Sequence, residues 1–145
     1  PKALGVGQSE VLREGGELVL WALGPMVRDA LEISDRLMLE DGISAGVVNA
    51  RFIKPIDNEL LLSHAKDYRL IVTLEDGVLS GGFGSAVLET LSECEMSTPV
   101  HRIGWPDEFV DHGSDIASLR AIGGLSFDDM ISGIRKKLET PSVAV

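Results

Sequence analysis

Residues 74–84 read LEDGVLSGGFG and hold the densest set of chemistry-capable groups in the chain. A β-rich apolar run ends in two acids, Glu75 and Asp76. Gly81, Gly82, Phe83 and Gly84 follow, and then a helical pattern begins. A strand, a glycine-rich turn and a helix start together lay out a phosphate cradle, because the first N–H groups of a helix have no intrahelical partner and point at whatever sits before them. The details oppose that use. The dinucleotide fingerprint needs three glycines, and valine stands at the third position, Val87. No Gly-Lys-Ser/Thr follows, so the P-loop is absent. No Lys or Arg lies between Arg69 and His101. Two carboxylates where a polyanion would approach are repulsive at close range. The loop therefore reads first as a packing or interface element whose glycines allow a neighbouring surface to come close.

A second group is cationic. In NARFIKPID, Arg51 and Lys54 leave a core strand together, and Pro55 biases the residue before it toward extended backbone. Ligands gather at the carboxyl ends of strands in open α/β sheets. The pair suits an anion or a partner's carboxylate, and equally a surface pair on an acidic domain.

The remaining candidates are dispersed. His64, His101 and His112 are far apart and lack metal-ligand spacing with Cys94. His64 falls mid-helix and reads as surface or half-buried. His101 falls in a strand as a core or edge histidine. His112 lies in a loop beside acids, where function concentrates more than in cores. Cys94 sits near a helix end among acids, an environment that opposes a reactive thiolate. No nucleophile elbow is present. No catalytic, cofactor-binding or metal-ligating residue is assigned.

The elements that must position these groups follow from periodicity. Gly15 and Gly16 between VGQSEVLRE and ELVLWAL predict a hairpin. Gly24 and Pro25 end the strand and open a helix with Val27, Ala30, Leu31, Ser34, Leu37 and Met38 on one stripe, stopped by Gly42. ISAGVVNARF, RLIVTLE and PVHRIGW are further strands, nearly continuous in apolar character as suits strands covered on both faces. Asp57 caps the helix NELLLSHAKDY. GSAVLETLSEC is helical. Ser114 caps a short helix, DIASLRAI. Ser126 caps the last one, with its stripe Phe127, Met130, Ile131, Ile134 and Leu138, and residues 140–145 read as a frayed tail. The alternation predicts one α/β domain over residues 1–145: a three-layer sandwich with a mixed, mostly parallel five-stranded sheet and helices on both faces.

Composition narrows the partners. The chain has 145 residues, a formal net charge of −10 and one cysteine. An acidic surface argues against nucleic acid and anionic membrane as partners. No intrachain disulfide is possible, and a reducing, cytoplasmic setting is expected. No apolar run reaches the ~20 residues that cross a bilayer.

Taken together, VVNARFIKPID, VTLEDGVLSGGFGSAVLE and IGWPDEFVDHGS, in that order and spacing, resemble the C-terminal domain of 1-deoxy-D-xylulose-5-phosphate synthases, members of the transketolase superfamily. The resemblance covers residues 5–138. It implies a three-domain, homodimeric parent enzyme that joins a pyruvate-derived two-carbon unit to glyceraldehyde 3-phosphate with loss of carbon dioxide. It also implies thiamine diphosphate and Mg²⁺ held by the other two domains. The family's Gly-Asp-Gly diphosphate motif has no counterpart here; Glu40-Asp41-Gly42 and Glu75-Asp76-Gly77 both lack the leading glycine. The expectation is an excised third domain, inactive and cofactor-free alone. Its contacts to the middle domain or a second subunit would be made by Arg51, Lys54, Glu75, Asp76, Gly81, Gly82, Phe83, Gly84 and His112. Two alternatives stand beside it. One is a docking module like the C-terminal domains of transketolases or of the β subunits of 2-oxoacid dehydrogenase E1 components, which share the GGFG element. The other is an independent nucleotide-binding α/β protein.

Overall fold

The computed structural model describes residues 3–110 and 115–140. The elements, in chain order, are β1 (Glu10–Arg13), β2 (Leu18–Ala22), α1 (Met26–Asp41), β3 (Ala45–Asn49), α2 (Asn58–Asp67), β4 (Leu70–Val78), α3 (Phe83–Glu93), β5 (Val100–Trp105), α4 (Ile116–Ile122) and α5 (Phe127–Glu139). The five strands form one sheet in the order β1-β3-β2-β4-β5. β3, β2, β4 and β5 run parallel, and β1 is antiparallel to β3.

Two cores flank this sheet. One buries Leu18, Leu20, Val47, Val72 and Leu74 against Ile33 and Leu37 of α1 and Ile131 and Ile134 of α5. The other buries Val19, Trp21, Val48 and Ile71 against Leu61 of α2 and Phe83, Val87 and Leu91 of α3. Alternate residues of β2 thus enter opposite cores, and the whole strand is buried. The near-continuous apolar runs arise from coverage on both faces. The three-layer, mixed sheet is the architecture expected from the sequence.

The hairpin does not form. β1 pairs with β3, Glu10 opposite Asn49 and Val11 opposite Val48, so β3 lies between β1 and β2. The two glycines serve a crossing instead of a turn. A Cβ on Gly15 would lie 2.0 Å from the backbone nitrogen of Gly46, which shows how closely the chain passes over β3. The N–H groups of Gly16 and Glu17 both donate to the Ser44 carbonyl at 3.1 Å. A glycine pair signals close backbone passage as readily as a two-residue turn.

Three smaller expectations shift. The buried stripe of α1 runs Met26, Ala30, Ile33 and Leu37. Met38 is 51% exposed, because Leu37 takes the core position and the next residue is rotated about 100° away. The cap of α4 is Asp115, whose side chain accepts from the Ser118 N–H, and Ser114 lies outside the described residues. His64 is buried rather than superficial. Its Nδ1 accepts from Trp21 Nε1 at 3.1 Å, which requires the neutral ring, and burial holds its pKa below the ordinary histidine value. The caps Asp57 and Ser126 and the stripe of α5 fall where expected. The tail beyond residue 140 lies outside the described residues.

Candidate functional site

The parallel strands bring two candidate loops to one edge of the sheet. Arg51 and Lys54 follow β3 and the glycine loop follows β4, with β2 between them. Strand spacing sets the two loops about 10 Å apart.

The β4–α3 loop closes on itself. Glu75 is 4% exposed although it is charged. Its Oε2 accepts the Phe83 N–H at 2.7 Å and its Oε1 accepts the Gly84 N–H at 2.9 Å. Gly82, the residue before α3, has no side chain to cap the helix, and Glu75 does so from the preceding strand. A negative charge at a helix N-terminus is favoured by the dipole and by the unsatisfied donors there. The cradle thus already holds an anion, and it is the chain's own.

The glycines make room for this arrangement. A Cβ on Gly82 would lie 2.2 Å from Glu75 Oε2 and 2.5 Å from the Val78 carbonyl oxygen. One on Gly84 would lie 2.7 Å from Thr73 Oγ1, a buried atom without a hydrogen-bond partner, and 2.8 Å from Arg102 Cδ. Across the strand pair, Leu74 faces Ile103 and Val78 faces Trp105, so β4 bulges between them. Bulges re-aim side chains. Gly104 sits opposite this one, where a Cβ would be 3.0 Å from Glu75 Cγ.

Sequence reasoning missed Arg102, which lies just beyond the stretch without cations and reaches the loop from β5. Its Nη1 donates to the Leu79 carbonyl at 3.0 Å and to Ser85 Oγ at 3.1 Å. Ser85 Oγ in turn donates to Leu79 O at 2.9 Å and accepts from the Gly81 N–H at 3.2 Å. Such a tie between neighbouring strands has no signature in linear spacing.

Of the residues read from the sequence, Phe83 is fully buried in the second core, and Glu75, Gly82 and Gly84 are used inside the domain. Gly81 is exposed with φ 70°, the left-handed region that suits glycine. Asp76 is exposed and accepts from Trp105 Nε1 at 2.8 Å. Arg51 adopts φ 59° and forms an ion pair with Glu10 of β1. Lys54, on a cis Lys54–Pro55 peptide, is exposed and makes no ion pair among the described residues. His112 lies outside the described residues.

A different face stands out at the β5–α4 connection, where the sequence predicted a short helix and singled out only His112. α4 has no buried side chain. Trp105, Pro106, Phe109, Leu119 and Ile122 line a cavity of about 80 Å³ beside it. No group of histidine, cysteine and carboxylate side chains among the described residues is arranged to hold a metal ion, and no described helix is long and apolar enough to cross a membrane.

The family model for the transketolase C-terminal domain matches residues 7–128. The 1-deoxy-D-xylulose-5-phosphate synthase of Synechococcus sp. (strain JA-2-3B'a(2-13)) is 46% identical over 136 residues, covering 94% of this chain and 21% of its own length. That of Thermosynechococcus vestitus is 46% identical over 141 residues, covering 97% of this chain and 22% of its own. A solved structure described as "Split gene transketolase, inactive beta4 tetramer" superimposes with a TM-score of 0.82 at 38% identity, over 93% of this chain and 42% of that one. The chain spans about a fifth of the length of the curated relatives it matches.

Proposed function

The chain belongs to the transketolase C-terminal domain family, and from that premise we propose that it is the third domain of a 1-deoxy-D-xylulose-5-phosphate synthase. The parent enzyme, a cytoplasmic homodimer in this reading, condenses a two-carbon unit from pyruvate with glyceraldehyde 3-phosphate and releases carbon dioxide. Thiamine diphosphate, with Mg²⁺, supplies the carbanion chemistry when bound by the other domains. The observation that carries the reading is 46% identity to such synthases along nearly the whole chain and over only a fifth of theirs.

The start of α3, where the sequence lays out a phosphate cradle, does not fit the diphosphate. The helix start that could receive it has its first two N–H groups taken by Glu75, with Asp76 adjacent. A diphosphate there would meet two carboxylates at close range. In this reading the chain's contribution is structural. It would brace the neighbouring domain or the second subunit with groups that remain outside its own core: Arg51, Lys54, Asp76 and Gly81. The order of the loop beneath them is set by Glu75 and Arg102.

Calorimetric titration of the isolated chain with thiamine diphosphate and Mg²⁺ tests the first half of the reading. No heat of binding is expected, and micromolar affinity would overturn it. Formation of 1-deoxy-D-xylulose 5-phosphate by the parent enzyme with and without this domain tests the second. Loss of activity on removal is expected, and full activity without the domain would remove the bracing role.

A further inference from the structure

The seven residues of α4 place Ile116, Leu119 and Ile122 three apart, so they share one side of the helix. Ile116 is 74% exposed and Ile122 is 79% exposed. Phe109 is 107% exposed and stands beside the same cavity. The helix is nevertheless fixed from its other side. Arg120 Nη1 lies 2.9 Å from Asp29 Oδ2 of α1 in a close ion pair. Arg120 Nη2 also approaches Met26 Sδ at 3.3 Å. On the cavity side itself, Gly123 rests on the indole of Trp105, where a Cβ would come within 2.6 Å of Cζ3. A helix clamped by a largely desolvated ion pair while its apolar side faces solvent holds that side in place for something else. Contiguous exposed apolar surface of this kind marks contact sites.

Two observations identify the occupant. The chain carries a net charge of −10, and the carboxylates Asp107, Glu108 and Asp115 stand beside the apolar side chains in sequence, all exposed. A second copy of this domain docked face to face would bring like charges together. The curated relatives extend over about five times this length, so in a parent of that size the other domains are tethered to this surface at high effective concentration.

We propose that the groove between Phe109 and α4 receives a segment from the remaining four-fifths of the parent polypeptide, one that inserts an apolar side chain into the cavity and flanks it with Lys or Arg. This deepens the reading above and rests on it. Exposed groups at the β3 and β4 ends then border the contact, and the α4 groove is its apolar centre.

Hydrogen exchange on the intact parent enzyme and on this chain alone tests it. The peptide spanning residues 115–124 is expected to exchange about ten-fold or more slowly in the parent. Ile122→Lys and Phe109→Ala in the parent are expected to abolish that difference, whereas Leu39→Asp, on exposed α1 surface, leaves it intact. Equal exchange in parent and isolated chain overturns the groove as a docking site. Protection that rises with concentration of the isolated chain assigns the groove to a second copy and overturns it equally. The underlying reading fails separately, by a parent that forms no 1-deoxy-D-xylulose 5-phosphate whatever its exchange pattern.

Discussion

The β4–α3 and β5–α4 connections lie on neighbouring strands, each joining a strand end to a helix start, and they solve opposite problems. In the first, the polar groups find partners within the domain: Glu75 caps α3, Arg102 and Ser85 hold the Leu79 carbonyl, and the glycines admit both. In the second, Asp115 caps the helix and Arg120 anchors it, yet Phe109, Ile116 and Ile122 face outward. The glycine-rich stretch, conspicuous in sequence, satisfies Glu75 and the Leu79 carbonyl from within and keeps only groups such as Asp76 and Gly81 at its surface. The plain stretch is the one left incomplete. Glycine density reports how closely a chain must approach itself, whereas an unfinished surface is reported by apolar residues that the fold declines to bury.

The contrast breaks most directly at Glu75. Glu75→Ala leaves two buried N–H donors without an acceptor and removes a charge-assisted cap, a loss of about 3 kcal/mol. Urea denaturation of the chain measures it, and a loss below about 1 kcal/mol would mean that water replaces the carboxylate and the loop is not self-sufficient. Gly82→Ala follows at about 2 kcal/mol, because the new methyl group meets Glu75 Oε2 and the rigid Val78 carbonyl. In the Glu75→Ala background the same change should cost less, since one of the two obstacles has gone. Strict additivity in that double-mutant cycle would separate the glycine from the carboxylate.

Alternating elements, caps at Asp57 and Ser126 and the stripe of α5 were legible because they depend on local spacing. The partner of β1 was not. A glycine pair between two strand-like runs fits a hairpin or a passage across a third strand, and only the later pairing of β3 with both neighbours decides between them. At the candidate site, the two carboxylates spoke against phosphate, and the structure puts one of them on the helix start itself. Linear sequence could not show that one of them takes the phosphate's place, since that depends on the bulge between Leu74 and Val78 and on Gly104 opposite it. The outward face of α4 was hidden for another reason. Ile116, Leu119 and Ile122 recur three apart, but spacing alone does not say whether that side is covered, since burial is a property of what lies opposite.

The clamp beneath that face gives the next effect in size. Arg120→Ala leaves Asp29, 7% exposed, without its countercharge. Fully buried pairs lose ~3–5 kcal/mol when broken this way, and residual solvent access lowers the expected cost here to about 1.5 kcal/mol. Exchange of the α4 amides should accelerate more than that of the sheet, because α4 has little else to hold it. A uniform acceleration across the chain would place the ion pair in the core's own stability.

The smallest effect is the most discriminating. Ile122 is nearly as hydrated in the folded chain as in the unfolded one, so Ile122→Lys removes little transfer free energy. It also puts a cation in the last turn of α4, where the helix dipole favours positive charge by a few tenths of a kcal/mol, offset by the nearby Arg120. Stability of the isolated chain should stay within about 0.5 kcal/mol of the original. The same substitution that removes α4 protection in the parent is thus silent in the domain, the reverse of Glu75→Ala, whose cost is already complete in the isolated chain. Urea midpoints and slopes for both variants measure the pair of outcomes. A loss above about 1 kcal/mol for Ile122→Lys would make Ile122 part of this domain's own packing, and the distinction between a closed loop and an open face would fall with it.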